Sequence, residues 1–372
     1  MLGGVAGLAA LPVSVAGATE RLRITRVDLF RVAVPMQEDI VHSAEIVEPD
    51  FTMVPKYILK VHTDSGIVGI GETVRGENGD RLRQNIESIR GKNILDFNLT
   101  RLQLANPAGY AAFEMALYDI VGKAVGWPVW RLLGGLAQPK VLVGYWCGRK
   151  NATDMRRVAQ RAVAGKFTSI KMKCKEGDPV VKAVEAIAEV SPALKVIVDP
   201  NTRYASFQSF LPVGKALDRI GNMLVIEDPF DKTDYAGYRE LRRQVKTDVA
   251  LHLADPKLMI RGIRENACSV FNTGAAPSMA SFVSNCYLAA AAGMPVWHGS
   301  GHDMGICDAA YLHSCAAARN CTLPSDILSY QRVDDLLVRP IEIRDSYAIV
   351  PDRPGLGVEL DEDAVRKYAV KG

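Results

Sequence analysis

A regular alternation of strand-like and helix-like segments between residues 140 and 318 constrains the fold more than any other feature. Seven apolar runs are each followed by an amphipathic, helix-like segment, and these runs are KVLVGYWCG, SIKMKCK, ALKVIVDPN, MLVIEDPF, DVALHLADP, CSVFNTG and MPVWHGSG. Strands that alternate with helices predict a parallel sheet. Because so long a series has no glycine-rich dinucleotide-binding motif, it predicts an α/β fold with a closed (β/α) barrel rather than a doubly wound sheet.

The chain before residue 131 has a different pattern. RITRVDLFRVAVPM alternates apolar and polar residues as a strand does, and KYILKVHTDSGIVGIGET predicts a β-hairpin. AGYAAFEMALYDIVGKAVGWPVWRLLGG predicts one or two helices, and Gln37–Phe51 has no strong period and predicts a loop. The predicted organisation is a tail of residues 1–20, an α+β domain of residues 21–130, a barrel of residues 131–339 and a turn-rich return segment of residues 340–372.

Composition narrows the class of protein. The 372 residues are 48% hydrophobic and 23% charged, which is typical of a soluble globular protein. A net charge of +3 gives no reason to expect nucleic acid or a membrane as a partner. The seven cysteines include no CxxC pair and predict reduced, buried thiols. The N-terminal LGGVAGLAALPVSVAGATE resembles either the remnant of an export signal or a disordered tail, so a cytoplasmic and a periplasmic location both stay open.

The polar residues at the strand ends define the candidate site, because a parallel barrel builds its active site at the C-terminal ends of its strands. They are Lys171 with Lys173, Asp199 with Asn201, Glu227 with Asp228, His252 with Asp255, Asn272, and His298 with His302 and Asp303. Asp199, Glu227 and His252 end three consecutive strands, so we expect them to point into one cavity. Neighbouring carboxylates repel unless a cation bridges them. Mg²⁺ is the natural ion for oxygen ligands, and the histidine leaves Mn²⁺ or another divalent ion open.

The chain resembles the enolase superfamily, in the mandelate racemase / muconate lactonising branch. The resemblance runs from about Ile24 to the C-terminus and rests on the Lys-x-Lys of SIKMKCK, on VIVDPN, VIEDPF and VPDRPGLGVEL, and on the helical segment before the barrel. It implies an N-terminal α+β capping domain over a modified (β/α) TIM barrel, with the return segment packing back on the cap. It also implies a divalent metal, usually Mg²⁺, a small-molecule carboxylate substrate, a homo-oligomer, and abstraction of a proton next to the substrate carboxylate.

The resemblance also implies roles for the two lysines. Lys171 would hold the substrate carboxylate and, by like-charge repulsion, favour the neutral form of Lys173, which would act as the base. Lys175 lies further out and is interpreted as a solvated residue.

The sequence departs from the family pattern at two strand ends. The sixth strand ends in Asn272, where relatives place an aspartate or a lysine, and an asparagine cannot titrate. The third metal position falls on His252, with Asp255 as the alternative if the strand runs longer. The seventh strand offers His298 or His302 as a general acid, and Asp303 falls where the cycloisomerase branch keeps a glutamate.

These departures favour one reaction over others. A single base without a competent acid on the opposite face fits elimination, so dehydration of a hydroxy acid or sugar acid comes first. Racemisation, epimerisation and cycloisomerisation are the alternatives within the superfamily. A member that binds metal without turnover is the alternative of another class. We expect substrate specificity to lie in the loop Gln37–Phe51, with His42, Glu45 and Glu48 as contacts, and in the return segment.

Overall fold

An antiparallel sheet and three helices form the N-terminal part of the described chain. The computed structural model describes residues 22–37, 40–46, 53, 55–274 and 278–371. Strands β1 (Ile24–Val32), β2 (Lys56–Thr63) and β3 (Val68–Glu72) pair in that order. They are followed by the helices α1 (Gly79–Ile89), α2 (Tyr110–Val125) and α3 (Val129–Leu132). The hairpin β2–β3 confirms the predicted β-hairpin, and α2 and α3 confirm the one or two helices predicted after it.

Two glycines explain how β3 packs on α2. A Cβ atom at Gly69 would lie 2.1 Å from the carbonyl oxygen of Ala116, and one at Gly71 would lie 2.0 Å from that of Ala112. Alternate residues of a strand share a face, so both glycines lie against the same helix. The GIG repeat therefore brings the backbone of β3 onto α2 and fixes Glu72, the last residue of β3, beside the barrel.

The centre of the molecule is a parallel sheet of seven strands in the order of the chain. A short strand, β4 (Lys140–Leu142), precedes them. The seven are β5 (Tyr145–Cys147), β6 (Ser169–Lys173), β7 (Lys195–Asp199), β8 (Met223–Glu227), β9 (Asp248–His252), β10 (Val270–Asn272) and β11 (Val296–Trp297). The helices between and after them are α4 (Ala152–Ala164), α5 (Val180–Val190), α6 (Phe207–Ile220), α7 (Tyr235–Gln244), α8 (Pro256–Arg264), α9 (Met279–Ala291) and α10 (Gly305–Ala317). The predicted strand–helix alternation is confirmed.

An eighth segment, which the sequence analysis missed, links the first and last strands. Ser325 donates its backbone N–H to Leu142, and Gly144 donates to Ser325. On the other side, the backbone N–H of Asp326 donates to the carbonyl of His298, and Val296 forms a bridge with Cys321. The segment of residues 321–326 thus closes the curled sheet into a barrel.

The inside of the barrel is filled below the strand ends. Ile197, Val225, Ala250, Val270 and Trp297, one from each of five consecutive strands, form a buried cluster. Such a layer makes the barrel a packed core rather than a pore. The polar residues nearer the C-terminal ends of these strands therefore lie next to a buried apolar layer.

The return segment contacts the N-terminal sheet. Strand β12 (Ile343–Arg344) pairs with β13 (Tyr347–Ile349), which in turn pairs with β4, and the last helix, α11, spans Glu362–Lys367. Ala369 forms a bridge with Val32, and Val370 donates to Arg31. The domain boundaries proposed from the sequence stay predictions.

Some predictions lie outside the described residues. These are the signal-like tail, Glu48 and much of the loop that was expected to set specificity. The choice between an export signal and a disordered tail therefore stays a prediction. None of the described helices combines the length and the apolar character needed to cross a membrane.

Candidate active site

A cavity of about 340 Å³ opens at the C-terminal ends of the barrel strands. The barrel residues that line it include Trp146, Lys171, Lys173, Asp199, Asn201, His252, Asn272, His302, Asp303, Tyr311 and Asp326. The N-terminal domain contributes Val74 and Arg75 from the connection between β3 and α1. The cavity thus lies between the two parts of the chain, where the strand-end argument predicted a site.

Lys171 lies among three carboxylates. Its Nζ is 2.7 Å from Oε2 of Glu227, 3.0 Å from Oδ2 of Asp326 and 3.6 Å from Oδ2 of Asp199. Burial opposes the charge of Lys171, but the three carboxylates outweigh it and raise the pKa of Lys171 well above its usual value. Lys171 is therefore a fixed positive charge at the base of the cavity.

Lys173 projects from the same face of β6 and is ion-paired with Asp199. Its side chain is 20% exposed, against 4% for Lys171, so Lys173 is nearer the cavity opening. Asn201 supports Asp199 by donating to Oδ1 from its backbone N–H, at 2.9 Å, and from its side-chain amide. Burial opposes the charge of Asp199, but Lys173 and Lys171 hold the pKa of Asp199 below its usual value. Asp199 is thus an ionised carboxylate available to a cation.

The ends of β8 and β9 supply further donors for a divalent ion. Glu227, Asp228 and His252 each offer one donor atom, and these atoms lie within 4.8 Å of one another. Nδ1 of His252 is 3.5 Å from Oε1 of Glu227, and Nε2 of His252 is buried and has no hydrogen-bond partner among the described residues. Burial, helped by Lys232 and Lys171, holds the pKa of His252 well below its usual range, so the imidazole is neutral, as a metal ligand must be.

These residues fit a divalent ion, with one difference from the predicted set. The carboxylates of Asp199 and Glu227 both contact Lys171. The cluster around His252, however, contains Glu227 and Asp228 rather than Asp199. Asp228 also accepts the backbone N–H of His252, at 2.9 Å, and pairs with Lys232, at 2.7 Å. Asp228 therefore holds the end of β9 in place. The roles of Asp199, Glu227 and His252 as metal ligands stay predictions.

Asp255, the alternative third ligand, has a different position. It is exposed and forms the N-cap of α8, where its Oδ1 accepts the backbone N–H of Lys257 at 2.7 Å. Such a cap satisfies backbone donors at the start of a helix. The geometry therefore favours His252 over Asp255.

Asn272 is fully buried and contacts the metal-site candidates. Its Nδ2 donates to Oε1 of Glu227 at 2.8 Å, and its Oδ1 accepts the backbone N–H of Gly274 at 3.2 Å. Both ends of the amide are thus occupied. Asn272 orients Glu227 at a position where relatives were expected to place an acid or base.

The two histidines after β11 have different surroundings. His298 is buried, with its ring 4.0 Å from that of Tyr311 and 4.5 Å from that of Phe282. His302, not His298, is among the residues that line the cavity. His302 has a left-handed backbone, φ 64°, which turns the loop back over the strand ends. Burial, together with Arg75, Lys173 and Arg332, holds the pKa of His302 well below its usual range.

Asp303 connects this loop to the N-terminal domain. It pairs with Lys56 of β2, and it accepts hydrogen bonds from Gly301 N, at 2.8 Å, and from the hydroxyls of Ser300 and Tyr311. Lys56 also lies 3.0 Å from Glu72, whose Oε1 accepts the backbone N–H of Met304 at 2.7 Å. Asp303 therefore acts here as a structural anchor that fixes the position of its neighbour His302.

Two charged lining residues, Arg75 and Asp326, were not identified from the sequence. Asp326 lies in the closing segment, which makes only isolated bridges and has no strand periodicity. Arg75 is a single arginine in a short connection, which no sequence pattern distinguishes from a surface residue. Counting an eighth strand end would have pointed to Asp326, whereas Arg75 had no such signal.

Two family profiles match the chain. The one described as "Mandelate racemase / muconate lactonizing enzyme, N-terminal domain" matches residues 32–134, and the one described as "Enolase C-terminal domain-like" matches residues 154–364. The chain therefore belongs to the enolase superfamily, in its mandelate racemase / muconate lactonising branch, and is an enzyme of that superfamily.

Individual relatives carry several different activities. The chain is 30% identical over 262 residues to an N-succinylamino acid racemase of Thermus thermophilus, covering 68% of this chain and 69% of the relative. It is 24% identical to an arabinonate dehydratase of Saccharolobus solfataricus, covering 84% and 90%. Muconate lactonizing enzyme from Pseudomonas fluorescens has a similar structure, with a TM-score of 0.81, 21% identity, and coverage of 94% of this chain and 100% of that one. The predicted fold class, a modified TIM barrel with an N-terminal cap, is confirmed.

Proposed function

We propose that this enzyme removes the proton next to the carboxylate of a small hydroxy acid or sugar acid and eliminates water from it. Racemases, cycloisomerases and a dehydratase are all among the relatives, so the superfamily alone does not choose between these reactions. The choice of dehydration rests on this chain's own residues.

A divalent ion, with Mg²⁺ first and Mn²⁺ as the alternative, is part of the proposal. Asp199, Glu227 and His252 would hold it, and the unpaired Nε2 of His252 supports this set. A bound divalent ion would take up negative charge that develops on the substrate carboxylate.

Lys173 is the proposed base and Lys171 the proposed holder of the substrate carboxylate. Lys171 keeps its charge because three carboxylates surround it. Lys173 lines the cavity beside Lys171 and is ion-paired with Asp199. In its neutral amine form Lys173 would accept the α-proton, and the electron pair of the broken C–H bond would move into the substrate carboxylate to give the enediolate.

His302 is the proposed donor of a proton to the leaving hydroxyl. It lines the cavity from the loop after β11, whereas His298 is packed between aromatic rings. Burial, together with nearby positive charges, lowers the pKa of His302 and favours its neutral form in the free enzyme, and the carboxylate of a bound substrate would offset the effect of those charges.

The observation that carries the proposal is Asn272. A two-base racemase needs an acid on each face of the substrate carbon, and here the sixth strand ends in an amide with both ends engaged, one of them on Glu227. A single base with a nearby proton donor for the hydroxyl is what elimination requires.

The test is incubation of the purified protein in D₂O with Mg²⁺ or Mn²⁺ and a library of hydroxy acids and sugar acids. We expect loss of the α-proton together with formation of a 2-keto-3-deoxy acid, detected by NMR and by reaction with semicarbazide. Lys173→Gln should abolish the reaction, while Lys175→Gln, outside the strand, should keep it.

Other results would decide against dehydration. Exchange with inversion at the α-carbon and no keto acid would support a racemase or epimerase, and a cyclised product would support a cycloisomerase. Metal binding without exchange across the library would support a member without turnover.

A further inference from the structure

Arg75 is a positive charge at the cavity that has no ion-pair partner among the described residues. It lines the cavity from the connection between β3 and α1, and its side chain is exposed to the opening. Within the part of the chain that the structure describes, its guanidinium has no hydrogen bond or ion pair. An arginine carries five donors that fit an anionic oxygen group in a two-pronged contact. Such a group is missing from the surroundings of Arg75.

The other cations of the cavity already have carboxylate partners. Lys171 is surrounded by Asp326, Glu227 and Asp199, and Lys173 is paired with Asp199. Arg75 nevertheless acts on the site, because its charge helps to hold down the pKa of His302. A second negative charge in the cavity could therefore pair with Arg75, and the ion pairs of Lys171 and Lys173 would stay intact.

The charges are also arranged by depth. Lys171 is 4% exposed at the base of the cavity, and Arg75 is at its mouth, on the opposite domain. An acid whose reacting carboxylate lies at Lys171 would direct its far end towards Arg75. A cavity of about 340 Å³ is small for a ligand site, which restricts the ligand to a short chain.

We propose that Arg75 binds a second carboxylate at the far end of the substrate, and that the enzyme acts on short hydroxy diacids rather than on monoacids. This inference rests on the proposed function for the orientation of the substrate. A phosphate group would offer Arg75 the same oxygen chemistry, so the test includes it.

The first experiment measures binding without turnover. Calorimetry with the full chain in Mg²⁺ compares malonate, succinate, glutarate and adipate with monocarboxylates of the same length. We expect at least one diacid to bind about 10- to 100-fold more tightly than its monoacid, the range for a charge-assisted hydrogen-bonded pair. Arg75→Gln should remove this difference between diacids and monoacids, whereas Arg75→Lys should keep part of it, because the charge remains but the two-pronged hydrogen bonding of the guanidinium is lost.

Arg83→Gln is the matched control. It removes one positive charge from the same domain, at an exposed residue of α1 whose ion-pair partner within the described part of the chain is the exposed Asp80, and it should leave both affinities unchanged. Equal losses for monoacids and diacids in Arg75→Gln, or no preference for diacids in the wild type, would overturn the inference. Tighter binding of an ω-phosphorylated acid than of every diacid would overturn the assignment of a carboxylate.

A second experiment separates this inference from the proposed function. The D₂O exchange is repeated with matched sugar monoacids and diacids. Equal exchange of both classes would overturn the role of Arg75 and leave proton abstraction intact. A diacid preference in binding with no exchange of any acid would support Arg75 and overturn the proposed reaction.

Discussion

His252 is the proposed third metal ligand, and the proposed choice of metal depends on this one side chain. Its neutral imidazole stands where the sequence pattern expects an oxygen ligand, and it lies 3.5 Å from Glu227. Imidazole suits Mn²⁺ and later transition metals better than Mg²⁺, which prefers oxygen. A histidine at this position, in place of an oxygen ligand, leads us to expect a stronger preference for Mn²⁺ over Mg²⁺ than a site with three carboxylates would have.

We predict that His252→Glu shifts the metal preference towards Mg²⁺. The ratio of the Mn²⁺ to the Mg²⁺ association constant should fall by about tenfold, the lower range for altered metal ligation. Calorimetric titration of both ions measures it without any substrate. Asp255→Asn is the control, because asparagine also caps helices and Asp255 serves α8. An unchanged ratio in His252→Glu with a changed one in Asp255→Asn would assign the third ligand to Asp255.

Residue positions were predictable from the sequence where a strand ended in a polar group. Lys171, Lys173, Asp199, His252 and Asn272 all line the cavity because the repeat fixes where each strand stops. The same reasoning did not separate His298 from His302, since β11 is two residues long and the direction of the following loop depends on a left-handed residue and on tertiary contacts.

At the scale of elements, β2 and β3 hold the loop after β11 through a buried ion triad. Lys56, Glu72 and Asp303 have side chains with 0% exposure. Burial alone would lower the pKa of Lys56, but Asp303 and Glu72 outweigh it and raise that pKa. The two carboxylates therefore depend on one ammonium group, and the loop that carries His302 depends on strands of the other domain.

We predict that Lys56→Met lowers the free energy of unfolding by about 3–5 kcal/mol, because two buried carboxylates lose their partner. Lys60→Met is the control on the same strand. Lys60 pairs with Glu362 where the side chains are 21% and 45% exposed, and an exposed pair contributes at most about 1 kcal/mol. Urea denaturation of both variants measures the difference. If Lys56→Met is no less stable than Lys60→Met, the triad is not a stabilising joint.

Elements with a clear period were predictable, and the closing segment was not. Residues 321–326 close the barrel through single bridges to Val143 and Val296, so no run of alternating residues is needed there. Asp326 was missed for this reason. The pairing of β13 with β4 joins short strands that are far apart in the chain, and local sequence carries no information about such partners.

On the scale of the whole molecule, the cap and the barrel meet through helix ends. Glu114 of α2 is buried at the start of α9, where it accepts hydrogen bonds from Ser278 Oγ, Met279 N and Ala280 N. Glu72 does the same at the start of α10, with Met304 N and Cys307 N. Carboxylates satisfy the unpaired N–H groups of a helix start. Residues of the cap therefore complete two barrel helices, and neither part has a fully satisfied surface without the other.

Glu114 makes this joint sensitive to pH. Burial raises the pKa of Glu114, whereas the hydrogen bonds that it accepts lower it. Burial is the stronger effect, so the pKa of Glu114 is raised from its ordinary value of 4.5 to about 7. The folded protein thus binds this proton more tightly than the unfolded chain, so stability must fall as pH rises between about 4.5 and 7 and then level off. Relative to Glu114→Gln, which cannot titrate, the wild type should lose up to about 3 kcal/mol of unfolding free energy across this window.

Urea denaturation of both proteins at several pH values between 4.5 and 8 measures this difference. Subtracting the stability of the variant from that of the wild type cancels the contributions of the other titrating groups, which both proteins share. Ser278→Ala deletes one of the hydrogen bonds that lower the pKa of Glu114, so it should enlarge the fall in stability across this window. A difference between wild type and Glu114→Gln that grows in favour of the wild type as pH rises would mean that the helix start stabilises the ionised carboxylate more than burial opposes it. The cap would then be joined to α9 by a charge, and raising the pH would tighten the contact between cap and barrel.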